Sequence, residues 1–185
     1  MELCATFVVP FHARELVRKR FIRHYDRYHR VRIGDEENWF RSQPTLRDTI
    51  SWAALARWRG GRKLDHQLRL KNSDLAQAED ALLGAEQAIA RCCSFDKLYS
   101  MVWRAIKHIW KNPELYCYDT ALRIGAKLGL KPDKVYLHRG TRVGARRLGL
   151  PTEGATLEMS ALPDGLQGPD AAEVEDILCL YKDDF

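Results

Sequence analysis

Residues 110–130 read WKNPELYCYDTALRIGAKLGL, and their punctuation decides the fold class. Asn112 suits a helix N-cap, Pro113 the first helical position, and Glu114 the positive end of the helix dipole. Leu115, Tyr118, Leu122 and Ala126 recur at intervals of three and four, one apolar face of a helix. Gly129 stands where a left-handed residue stops a helix, Leu130 supplies the apolar cap, and Pro132 bars continuation.

Working outward, the same signals recur. Ser94 caps a predicted helix that runs to residue 110, with Phe95, Leu98, Val102, Ile106 and Ile109 on one stripe. Only Lys111–Asn112 separates it from the helix of 113–129. Ser73 caps a helix whose stripe is Leu75, Leu82 and Ile89. Pro44–Thr45 opens one through ISWAALARW that Gly60–Gly61 closes. Arg14–Arg30 places Val17, Phe21, Tyr25 and Tyr28 on one face, and Gly34 ends that helix. The regular spacing favours packing for these aromatics, although rings among arginines also stack on bases.

Downstream, Val135–Leu137 reads as a short strand or one turn. Thr141 caps a helix that Gly149 and Pro151 terminate, and residues 151–168 form a Gly/Pro-rich loop. Pro169 opens a last amphipathic helix that packs through Ile177, Leu178 and Tyr181. The expectation is an all-α fold, one compact domain over residues 1–185 with six or seven helices. Its basic body, 1–150, carries an acidic loop and helix, 151–185.

The chain's 185 residues are 45% hydrophobic and 30% charged, enough for a core that needs no covalent staple. Five cysteines, an odd number with no C-x-x-C spacing, argue against a disulfide framework and a cysteine zinc knuckle. The six histidines form no H-x-x-x-H pattern, so neither metal nor cofactor is expected. The apolar run near the N-terminus, Ala5–Val9, is too short for a signal-peptide core or a membrane span. A cytoplasmic protein without a membrane segment is expected.

Charge is divided unevenly. Residues 1–150 hold 29 Lys/Arg against 16 Asp/Glu, +13, and residues 151–185 hold 1 against 9, −8. Arginine outnumbers lysine 20 to 10, and its planar fork matches phosphate and base edges. A polyanion is the expected partner, most simply nucleic acid, with DNA favoured over RNA. The alternative is a non-catalytic basic adaptor binding RNA or a protein partner in a larger assembly.

The predicted helix–turn–helix followed by YDTALRIGAKLGL resembles the helix-hairpin-helix DNA glycosylase superfamily over residues 94–130. In that family a helical hairpin grips the DNA backbone, and a nearby aspartate in a stretch V-D-T-H-V-x-R-V-x-x-R-L-G assists base excision. The resemblance implies a catalytic role for Asp119, places Thr120 on the threonine after it, and sets Arg123 near the family's arginine and Leu128–Gly129 on its Leu-Gly. This turn carries no glycine, Ala121 stands where the family has histidine, and the arginine comes one residue early. Lys111, in the turn, would occupy the place of the family's Schiff-base lysine.

Read from the residues alone, Asp119 is equally an i,i+4 partner of Arg123. Lys107, Asn112, Arg123 and Lys127 are candidate backbone-binding groups around the hairpin. A second candidate is YLHRGTRVGARRLG, 136–149. Arg139, Arg142, Arg146 and Arg147 crowd one short helix, Gly140 and Gly144 permit close approach, and Thr141 presents a helix start to phosphate. His138 precedes them and suits either a structural or a titrating role.

Overall fold

The structure, a computed structural model, describes residues 21–185. It is mostly helical: eight α-helices and two short two-stranded sheets among the described residues. The predicted start at Arg14 and the position of Val17 lie outside the described residues. No helix of the described residues is long and apolar enough to cross a membrane. The chain forms two compact units, residues 21–31 with Asp133–Phe185, and Arg32–Pro132.

The second of these contains most of the helices. Helix α1 (Val31–Arg41) leads into it from a π-helical turn, Asp26–Arg30. Gly34 does not end this helix, contrary to expectation; it lies mid-helix with open space around its Cα. The π turn also breaks the aromatic stripe. Tyr25 is fully buried, but Tyr28, inside the wider turn, is rotated out and 57% exposed.

Helix α2 (Leu46–Ala54) starts where the sequence places it. Thr45 accepts from the Asp48 amide, and the Asp48 carboxylate accepts from the Thr45 amide, a complete capping box. It ends at Leu55, earlier than expected. Ala56 takes a left-handed φ of 51°, and the chain turns into a hairpin of β1 (Arg57–Trp58) and β2 (Arg62–Lys63).

Helices α3 (Asn72–Gly84) and α4 (Glu86–Ala90) replace one predicted helix, broken at Ala85. Lys71 takes the cap position and the Ser73 hydroxyl turns to Asp74, so Ser73 does not cap. The stripe Leu75, Leu82 and Ile89 is buried as expected.

Helix α5 (Phe95–Ile106) is capped by Ser94, which accepts from the Lys97 amide, and buries Phe95, Leu98, Val102 and Ile106. It stops four residues before the predicted end, so seven residues separate it from α6 (Glu114–Leu128). The tight two-residue turn of a helical hairpin is absent here. Pro113, not Asn112, occupies the cap position, without a side-chain bond. Gly129 does stop α6 at φ 70°, and the Leu130 amide closes back on the Gly125 carbonyl at 2.9 Å. Helix α6 packs on α2 and α5, and Tyr116 donates to the Ala54 carbonyl at the end of α2.

In the other unit, β3 (Val135–Tyr136) pairs antiparallel with β4 (Thr156–Leu157), resolving the predicted strand-or-turn. Helix α7 (Arg139–Arg147) packs on α8 (Ala171–Leu180). Gly140 and Gly144 do provide close approach, though to a neighbouring helix. A Cβ at Gly144 would lie 2.1 Å from the Leu178 carbonyl oxygen, and one at Gly140 would lie 2.5 Å from the Cys179 sulfur. The acidic segment is folded: Asp170 and Glu173 form a capping box, and Ile177, Leu178 and Tyr181 are buried.

Candidate nucleic-acid interface

The hairpin between α2 and α3 is built from RWRGGRK. Arg57 faces Lys63 and Trp58 faces Arg62 across its ladder. The three-residue loop needs two left-handed positions, and Gly60 (φ 69°) and Gly61 (φ 77°) supply them without steric cost. Arg57 donates to the Gly61 carbonyl at 2.7 Å and Lys63 to the Leu70 carbonyl at 2.8 Å, so these two cations brace the ribbon.

The other cations in this stretch face solvent. The Arg59 guanidinium lies 5.3 Å from the centre of the Trp58 ring. Arg62, its side chain 70% exposed, stands 3.8 Å from Asp65, which Arg32 also pairs at 2.9 Å. Arg59, Arg69 and Lys71 are exposed, with no hydrogen bond or ion pair to a described residue. Residues 32–132 hold 17 Lys/Arg against 12 Asp/Glu, and residues 57–71 alone hold 6 against 1. The remaining 11 and 11 balance, so this short stretch supplies the unit's whole +5.

Beside the hairpin in sequence, the turn Asp65–Gln67 reaches α6. Gln67 Nε2 donates to Asp119 Oδ2, and His66 Nδ1 lies 3.6 Å from the same oxygen. Arg123 Nη2 is 3.8 Å from it, and Arg123 Nε donates to Glu36 at 2.9 Å. Burial alone pushes the Asp119 carboxyl up, but the neighbouring His66, the Arg123 guanidinium and the Gln67 amide outweigh it and hold the group below its ordinary 3.8. Asp119 is therefore an ionised, three-partnered carboxylate on the inner side of a half-exposed imidazole. No hydrogen bond or ion pair joins it to Lys111, which is exposed in the α5–α6 connection. Cys117, two residues earlier, is buried, and burial pushes its thiol up to about 12, so it is no nucleophile.

In the other unit the arginines of α7 divide. Arg142 Nη2 donates to the Leu137 carbonyl at 2.7 Å, and Nη1 donates to those of Thr152 and Gly154. Arg147 donates to the Lys182 carbonyl at 2.6 Å and pairs with Asp183 at 3.3 Å. Arg139 and Arg146 remain exposed. Thr141 is not a cap; His138 is, and the Thr141 hydroxyl is buried and donates to Glu175. His138 Nε2 lies 2.6 Å from Glu175 Oε1, both residues buried.

The predicted backbone-binding set is thus split. Lys107, Asn112, Arg139 and Arg146 are exposed, as is Lys111, the lysine expected in a catalytic role. Arg123 is buried between carboxylates, and Lys127 donates to the Arg41 and Gln43 carbonyls at the end of α1. His138, Thr141 and Arg142 bind within their own unit, so these three, with Arg123 and Lys127, are held by internal partners where the expectation had them facing phosphate; Arg147 has internal partners too but stays exposed. Sequence reading missed Arg59, Arg62, Arg69, Lys71, Trp58 and His66. The signal for half of them was available: a Gly-Gly between R-W-R and R-K marks a hairpin carrying Trp58, Arg59 and Arg62.

Comparison of the chain with protein-family models, curated proteins and solved structures gave no match.

Proposed function

We propose that this protein binds nucleic acid and that residues 57–71 are its grip. One observation carries the reading: the entire net charge of the Arg32–Pro132 unit sits in this stretch, and of its four outward cations three have no hydrogen bond or ion pair to a described residue, while Arg62 has only the 3.8 Å contact with exposed Asp65. Two left-handed glycines narrow the tip so that Arg59 and Arg62 can approach a sugar–phosphate chain closely. Arg59, stacked on Trp58, offers a flat cationic surface of the kind that accepts an unstacked base.

The experiment is fluorescence anisotropy with a labelled oligonucleotide. The combined Arg59→Ala, Arg62→Ala and Arg69→Ala variant should lose most of the affinity, while Arg139→Ala with Arg146→Ala should lose far less. The opposite order would move the interface to α7; no binding by the unaltered protein would end this reading.

A second reading, excision on the bound strand, is favoured by the His66–Asp119 pair. A half-exposed imidazole backed by an ionised carboxylate is a general-base arrangement, and it lies within the basic stretch. In this reading His66 meets the substrate and Asp119 is a positioning residue. Duplexes carrying uracil, alkylated or oxidised bases should then yield abasic sites with the unaltered protein and none with His66→Ala. Failure of either expectation removes the catalytic reading and leaves binding intact.

A further inference from the structure

We infer that His138, Glu175 and Cys179 form a binding site for a late first-row divalent cation of the zinc class. Glu175 and Cys179 are four residues apart on α8 and so share one face; His138 caps the start of α7, which packs on that face. One ring nitrogen, one carboxylate oxygen and the thiol sulfur lie within 4.8 Å of one another. A tetrahedral zinc ion with bonds of about 2.0–2.3 Å spaces its donors by about 3.3–3.8 Å. The Glu175–His138 contact of 2.6 Å has to open by about 0.8 Å to admit the ion, as a shared proton is replaced by a metal.

Three further features suit a cation. A carboxylate and an imidazole buried to 3% and 6% exposure are costly to keep beside a thiol, and a divalent charge offsets that cost. The Thr141 hydroxyl already donates to Glu175, the outer contact that fixes the direction of a metal-bound carboxylate. Room next to the sulfur depends on Gly140, whose missing Cβ would lie 2.5 Å from it. Thiolate and imidazole select against magnesium and calcium. On binding, the Cys179 thiol proton and the proton shared by Glu175 and His138 both pass to solvent, His138 binds neutral through one ring nitrogen, Glu175 binds as carboxylate, and water completes the shell. The sequence hid this site because its donors have no motif spacing: His138 precedes Glu175 by 37 residues.

Cobalt(II) titrated into the reduced, metal-stripped full chain tests the inference. One equivalent should produce a thiolate-to-cobalt charge-transfer band in the near ultraviolet, and zinc should abolish it. Cys179→Ser should lose the band while keeping its far-ultraviolet circular dichroism. Thr141→Val should keep the band but bind about 10–100-fold more weakly. No band at one equivalent overturns the site, as does an equal band in Cys179→Ser, which would point to Cys92 and Cys93. Should Cys179→Ser fail to fold, X-ray absorption at the zinc edge of the unaltered protein decides. One sulfur with nitrogen and oxygen neighbours supports the site; no sulfur, or two, overturns it.

Discussion

Residues 57–71 and residues 139–147 are both rich in arginine, yet their guanidinium groups end in different places. In the helix at 139–147, Arg142 reaches three backbone carbonyls and Arg147 a carbonyl and Asp183, so half of its arginines act as internal clamps. Residues 133–185 around it hold 6 Lys/Arg against 10 Asp/Glu, a net −4. In the ribbon at 57–71 only Arg57 and Lys63 brace the fold, and four cations extend into solvent from a unit that is otherwise electrically balanced. Counting arginines along a sequence measures charge. Availability depends on which carbonyls and carboxylates the fold brings within reach.

The largest effect that sharpens this contrast belongs to Arg142. Arg142→Ala leaves three carbonyls without their cation and should cost about 2–3 kcal/mol in urea unfolding, with nucleic-acid affinity of the folded protein unchanged. If stability is unaffected, Arg142 is not a clamp and the contrast weakens.

Next is Asp119. Asp119→Asn should cost about 1–3 kcal/mol near neutrality, because Arg123 and His66 lose an ionised partner. The folded carboxyl is held below its ordinary 3.8, so its contribution is complete above that value and fades as pH falls through the lower folded value. The gap between the unaltered protein and the variant should therefore shrink as pH falls below about 4. A gap that widens below about pH 4 contradicts the ionised assignment.

Smallest in stability is Arg59→Ala. An exposed arginine with no internal hydrogen bond should change the unfolding free energy by less than about 0.5 kcal/mol while weakening oligonucleotide binding. A large loss of stability would make Arg59 a second clamp and erase the difference between the two regions.

What was readable in advance follows the range of the forces involved. Thr45, Ser94 and Gly129 act within one helical turn, and their neighbours in sequence are their neighbours in space. The stripes Leu75–Leu82–Ile89 and Phe95–Leu98–Val102–Ile106 were readable for the same reason. The hairpin was missed because ISWAALARW has good helix formers to its end; the left-handed Ala56 that stops it has no sequence signature. For Asp119 the i,i+4 partner Arg123 was visible, but Gln67 and His66 arrive from 52 and 53 residues away through tertiary packing. The roles of Arg142 and Thr141 were hidden likewise, since their partners lie 5 to 34 residues off.

The salt dependence of nucleic-acid binding tests the central claim most directly. With Arg59, Arg62, Arg69 and Lys71 on duplex phosphates, the log–log slope should be about −3.6, a loss of about 150-fold between 50 and 200 mM salt. Removing the three arginines should reduce the slope to about −0.9. A slope near zero in the unaltered protein, or one that stays near −3.6 after Arg59, Arg62 and Arg69 are removed, would contradict the assignment of residues 57–71 as the grip.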